Sequence, residues 1–341
     1  MKAMLSRTLA AVLIELCSPG SSFSAEAEEV SIWRVEVAPT EPGKYGIKGS
    51  VFGIGDPVHE TLTKEALQRG GFSDAPISRS NVGAVQVLRG VFWNDDPCGQ
   101  LFAEDEFNPL RPSFGVAWYL DFQAAKELSA QSGPASNDFR SLNCQLLGRS
   151  HFGDLQFLHA MANSNGLPAR ETADLVVSWM TFMYRIAIGG IDAKVSQKGL
   201  AGTESLPGVV TETTPMQLLL SKSTEEVRLR ALGAMLHTMQ DSFAHGHVTR
   251  KRDPSGVDQF LCYAGQSEKK HAHDDAWGAG TSDLQKTLAV PGALEALEAS
   301  TKLVELFRNR TDWRTVKLYL ESGPLKLRDG ALSSGPGEYK Q

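Results

Sequence analysis

The segment that most constrains this fold is a long helix that must carry polar groups among apolar ones. Ser223-Thr224-Glu225-Glu226 has the pattern of a capping box, and Val227, Leu229, Leu232, Met235, Leu236 and Met239 follow at helical spacing toward Ala244. The same run holds His237 and Asp241, four residues apart and therefore on one face, then His245 and His247. An imidazole and a carboxylate so placed can hold one divalent ion or donate to two neighbouring ones. The chain has eight histidines, at 59, 151, 159, 237, 245, 247, 271 and 273, and five of them fall within 237–273. His271 and Asp275 repeat the spacing in Lys-Lys-His-Ala-His-Asp-Asp-Ala-Trp. Nitrogen and oxygen donors without thiolates suit zinc that keeps positions open for water and substrate. His159, among Leu155, Leu158 and Met161 with no carboxylate four residues on, reads instead as a core histidine whose loss leaves turnover intact. His273 and Asp274 read as solvated neighbours.

The remaining pattern is also helical. Helices are expected from about Pro57, with Leu62, Ala66 and Leu67 on one face, and over 81–91, 116–128, 151–162, 168–188, 260–275, 293–307 and 315–320. Residues 28–58 read as an extended arm, 189–213 as a surface loop, and the Gly- and Ser-rich 325–341 as a flexible tail. Convincing strands and internal repeats are lacking, so the expected class is all-α, a multi-helix single domain over 28–341. The 341 residues carry 34 basic and 40 acidic side chains, a net charge of −6, with a pI near 5.8, against the basic excess of a sequence-independent polyanion binder. An apolar content of 41% places the chain among globular proteins, and no run of about 18 apolar residues marks a membrane span.

Residues 1–27 read as an export signal. Lys2 and Arg7 precede the apolar Thr8–Ile14, and Ala25-Glu26-Ala27 fits a small-x-small cleavage site. The expected destination is therefore secreted or periplasmic. Cleavage would leave Cys98, Cys144 and Cys262, and a Cys98–Cys144 disulfide would pin the loop-rich stretch between them in an oxidising compartment.

His-Thr-Met-Gln-Asp-Ser-Phe-Ala-His-Gly-His, with His237, Asp241 and His247 at the spaced positions, resembles the central motif of the zinc-dependent phospholipase C and single-strand-specific nuclease superfamily. Phe92-Trp93-Asn94-Asp95-Asp96-Pro97 looks like the Trp-x-Asp element of that family, with its ligand on Asp95. Ser150-His151-Phe152-Gly153-Asp154 is similar to its His-Phe element, with the ligand on His151. His59 looks like its N-terminal histidine, and His271 with Asp275 like its last His-xxx-acid pair, in the nuclease form. These elements run in the family's order from His59 to Asp275. The resemblance implies a mostly helical fold and two or three Zn²⁺ ions. One would be held by Asp95, His151, His237 and Asp241, another by His247, His271 and Asp275, and a third by His59, Asp241 and the mature N-terminal residue. The sequence departs from the family in two places. The usual N-terminal Trp has a nearby counterpart only in Trp33, and the span from Asp95 to His151, with an insertion over 97–150, exceeds the family norm. Helix geometry favours His245 and the family spacing favours His247, which is the ligand taken here.

The implied activity is that of a secreted hydrolase. Zinc lowers the pKa of bound water toward 7, and two ions about 3.5–4 Å apart clamp the attacking and leaving oxygens of a phosphodiester. Asp95 would orient or deprotonate the water. The expected reaction is phospholipase C hydrolysis of phosphatidylcholine-like lipids at a membrane surface by a monomer. The alternatives are a zinc nuclease for single-stranded nucleic acid, with Trp93 and Trp277 as stacking platforms or core residues, and a non-catalytic metal-binding protein.

Overall fold

Apolar residues at helical spacing bury one face of each long helix, and the site is assembled where several of those faces meet. The computed structural model describes residues 37–41, 44–47, 58–72, 82–100, 102–103, 111–112, 116–132, 138–250, 256–267, 270–271 and 284–340, all within one unit spanning Ser31–Gln341. Its helices are α1 Val58–Arg69, α2 Val82–Trp93, α3 Val116–Ser132, α4 Gln145–Phe152, α5 Ala169–Ala187, α6 Gly208–Thr211, α7 Pro215–Leu218, α8 Thr224–Asp241, α9 Leu284–Leu288, α10 Ala293–Arg308 and α11 Trp313–Ser322. The strands are β1 Val37–Glu41, β2 Lys44–Ile47, β3 Phe102–Ala103, β4 Arg111–Pro112, β5 Val248–Thr249, β6 Val257–Leu261 and β7 Leu327–Gly335. The export segment 1–27 and Trp33 lie outside the described residues. No described helix is long and apolar enough to cross a membrane.

Helix α8 is the axis. Ser223 caps it by accepting from the Glu226 N–H at 3.2 Å, while the Glu226 carboxylate turns to the Lys222 N–H. From Val227 to Asp241 nearly every side chain is buried, against α2, α5 and α10. The α2–α8 crossing is close because Gly90 and Gly233 face each other: a Cβ on Gly233 would stand 1.9 Å from Val87 O and 2.7 Å from Gly90 Cα. Helix α5 contributes Trp179, Phe182 and Tyr184 to the same core.

The mostly helical class holds, and four expectations need correction. Strands stand where the sequence offered no convincing one: a three-stranded sheet in the order β5-β6-β7, antiparallel then parallel, supplements the helices. Residues 257–261, partly assigned to a helix from the sequence, form β6; the Val257, Phe260 and Leu261 side chains are buried in a strand held on both sides. The tail is ordered, because β7 pairs with β6 and Tyr339 packs on Met161 and Leu261. Ser334 fastens it further, accepting from the Leu167 N–H at 2.9 Å and donating to Ser164 O at 2.6 Å. Lastly, the helix expected over 151–162 is two pieces. Helix α4 stops at Gly153, where a Cβ would press on the Phe139 ring at 2.8 Å, and a 3-10 turn, Gln156–His159, follows until Ala160 in the left-handed region at φ 51°.

Between Asp95 and Phe152, α3 packs on α4, and Cys98 and Cys144 form the expected disulfide across 46 residues of sequence. The buried Asp121 of α3 accepts from the Cys144 N–H at 2.9 Å and from Gln100 Nε2 at 2.9 Å, tying helix, disulfide and loop together.

Candidate metal centre

The end of α2 shows how a local sequence aims one carboxylate. Trp93 is buried, stacks on Trp179 at 5.8 Å and donates from Nε1 to Leu218 O at 2.7 Å, so it is a core residue. Asn94 is fully buried and donates to Leu158 O at 2.7 Å and Thr238 Oγ1 at 3.1 Å, locking the turn onto α8 and the 3-10 turn. Asp95, between them and the buried Asp96, points the other way and keeps 35% of its side chain exposed. Trp118 of the insertion donates to its backbone oxygen at 2.8 Å.

Opposite stands the α8 pair. The side chains of His237 and Asp241 are 1% and 3% exposed, and His237 Nε2 lies 3.0 Å from Asp241 Oδ2. His159 joins them: its Nδ1 is 3.0 Å from the same oxygen and 3.2 Å from His237 Nε2. Asp95 Oδ1 lies 3.9 Å from His159 Nδ1 and 3.8 Å from His237 Nε2. The outward nitrogens of both rings, His159 Nε2 and His237 Nδ1, are buried without a hydrogen-bond partner among the described residues, so the polar neighbours of each ring are on the inward side.

Asp241 uses its other oxygen for a second set. His59, near the start of α1, places Nε2 3.2 Å from Asp241 Oδ1, stacks on His237 at 4.1 Å and donates from Nδ1 to Gln240 Oε1 at 2.8 Å. Gln240 is held in turn by donating to Thr63 Oγ1 at 2.9 Å. His247 sets Nδ1 3.6 Å from Asp241 Oδ1 and donates from it to His159 O at 2.8 Å. Because α8 stops at Asp241, the helical argument for His245 fails: His245 is exposed, whereas His247 is buried and stacked on the buried His271 at 5.2 Å. His151 directs Nε2 toward Asp95 Oδ1 at 3.9 Å and donates from Nδ1 to Leu147 O at 3.0 Å. Asp275, His273, Asp274 and Trp277 lie outside the described residues. Seven of the eight expected ligands thus fall in one neighbourhood, bordered by Phe122, Phe152 and Tyr263.

The expectation that His159 is a plain core residue is wrong in one respect. It is buried, but around a carboxylate supplied from 82 residues away in sequence rather than from its own helix. Local spacing carries no trace of that partner.

Charge coupling follows from this crowding. Burial alone would raise the Asp241 pKa, but His237, His247 and His59, with the His159 hydrogen bond, hold it well below the ordinary carboxylate range. Burial would favour a neutral His59, yet Asp241, with smaller help from Asp95 and Glu60, pushes its pKa up to about 10. Burial, reinforced by His159, pushes His151 down to about 3 against the pull of Asp95. Burial also raises Glu60 to about 7, with His59 opposing.

The donor set fits a borderline divalent cation. It consists of imidazoles and carboxylates, and the one free cysteine among the described residues, Cys262, is buried with its thiol pushed up to about 11 by desolvation. Two triads have ligand atoms within 4.8 Å of one another, His59-His237-Asp241 and Asp95-His151-His159. The chain matches no known protein family, no curated protein and no solved structure.

Proposed function

We propose that this protein is an exported zinc-dependent phosphodiester hydrolase of the phospholipase C type, acting on phosphatidylcholine-like lipids. The observation that carries the reading is Asp241: a buried carboxylate whose two oxygens face different imidazoles, His159 and His237 on Oδ2, His59 and His247 on Oδ1, beside the half-exposed Asp95. A carboxylate that divides its oxygens in this way suits a bridge between two cations. Zinc held by these residues would supply Lewis acidity toward a phosphoryl oxygen and an acidified water.

The chain's own groups have separable tasks. Asp95 and His59 are the more open members, with side chains 35% and 27% exposed, so substrate approaches from their side. Asp95, within reach of His151, is the group to accept a proton from an attacking water. His247 and His271 pack with Tyr263 as a further group of rings beside Asp241. The disulfide supports export to an oxidising compartment. The burial of Trp93 removes one of the two tryptophans offered for base stacking and, with the net charge of −6, weighs toward lipid.

The test measures zinc content and turnover on one preparation. Two or three zinc equivalents with chelator-sensitive release of phosphocholine is the expected result. Nucleotide release from single-stranded DNA would keep the centre and replace the substrate. Zinc without either product would leave a metal-binding protein.

A further inference from the structure

We infer that His159, rather than His151, completes the metal position built on Asp95, His237 and Asp241, and that His151 stands outside that shell against Asp95. This rests on the metallohydrolase reading for the identity of the ion, but its evidence is the geometry of four side chains. Four ligands about 2.0–2.1 Å from a tetrahedral zinc are about 3.3 Å from one another. His159 Nδ1, His237 Nε2 and Asp241 Oδ2 form a triangle with sides of 3.0, 3.0 and 3.2 Å. Asp95 Oδ1 caps it at 3.8 Å from His237 Nε2 and 3.9 Å from His159 Nδ1. These five separations bracket the tetrahedral edge, and they come from three distant parts of the chain.

His151 does not share this pattern. Its Nε2 comes within ion-pair distance of Asp95, at 3.9 Å, and of no other carboxylate among the described residues. Its Nδ1 faces Leu147 O and Ser150 Oγ, each at 3.0 Å, and its ring meets Phe122 edge-on at 5.2 Å. With Asp95 and His159 it forms only the looser triad, ligand atoms within 4.8 Å of one another, and it adjoins Asp95 rather than Asp241; we assign it the role of orienting Asp95. His159 Nδ1 and His237 Nε2 face each other at 3.2 Å and each lies 3.0 Å from Asp241 Oδ2, so three donor atoms from two distant segments converge on one point.

The experiment reads metal, not turnover. Zinc equivalents and chelator competition are measured for the wild type, His159→Asn and His151→Asn. His159→Asn should lose one equivalent, or bind it at least about 100-fold more weakly, while His151→Asn keeps the full count within about tenfold in affinity. His159→Cys and His151→Cys, loaded with cobalt(II), give a positive readout: a thiolate-to-cobalt charge-transfer band is expected from the first alone. If the His159 variants do not fold, the cobalt-loaded wild type still decides. Its paramagnetically shifted imidazole N–H resonances should all survive His151→Asn. Loss of one of them, a thiolate band from His151→Cys alone or from both variants, or a wild type that binds no metal would overturn the assignment. A metal-loaded wild type that cleaves no phosphodiester would instead overturn the proposed function and leave these ligand results intact.

Discussion

Two parts of the molecule deliver side chains to the same centre by different means. The α2–α8 crossing brings Asp95, His237 and Asp241 together through glycine-to-glycine contact inside the main core. The segment from Cys98 to Phe152 brings His151 and Phe122 through α3, α4 and a covalent tie, with a separate small cluster of Ala125, Phe139 and Leu142 beneath them. The first part is rigid because its neighbours are apolar and continuous. The second has little core of its own, and the disulfide, with Asp121, does the holding. The difference implies that the Asp241 half survives damage to the insertion, but not the reverse.

The sharpest break of that comparison is Asp241→Asn. Losing the shared carboxylate charge should remove zinc and lower turnover by more than about 100-fold, checked by elemental analysis and phosphocholine release, whereas any change confined to the insertion should leave bound metal in place. Next is Gly233→Ala. With Val87 O in its way, the added methyl must push α2 from α8, and a loss of about 3 kcal/mol in urea unfolding is expected together with weakened zinc binding. An unchanged midpoint would show that the crossing is looser than its distances say.

The double variant Cys98→Ser/Cys144→Ser should cost about 2–3 kcal/mol, yet bind zinc at the Asp241 position nearly as the wild type does. Zinc loss equal to that of Gly233→Ala would erase the distinction between the two halves. The smallest effect is on pH, and its sign differs between them. In the metal-free protein the raised His59 pKa adds stability that is complete below 6.5 and lost as pH rises through about 10. The depressed His151 pKa adds stability present above 6.5 and lost as pH falls toward about 3. Zinc must displace the His59 proton, so its affinity should climb by up to about tenfold per pH unit above neutrality, measured by competition with a chelator. A flat profile would mean that His59 is already neutral.

What could be read in advance was whatever one helical turn or one loop contains. The long helices and the His237–Asp241 pair are local in that sense, since their spacing marks them before folding; the Cys98–Cys144 bridge, 46 residues apart, was legible from the loop-rich stretch it encloses. Where an element depends on packing against distant residues, the reading failed. The periodicity around 151–162 continued through a glycine whose missing Cβ is required by Phe139, a residue outside the pattern. The segment 257–261, Val-Asp-Gln-Phe-Leu, gave no sign of its strand partners, which lie on either side of it in sequence. The carboxylate that faces His159 arrives from α8, so local spacing could not show it.

The sequence by itself determined a mostly helical chain with its imidazoles and carboxylates concentrated in a few short segments, because helical periodicity and donor chemistry are properties of neighbouring residues. Only the tertiary structure decided which of those donors meet. That outcome depends on how closely two glycine-faced helices approach, on where a 3-10 turn ends, and on which oxygen of Asp241 each ring faces. These are distances between segments far apart in the chain, and packing sets them.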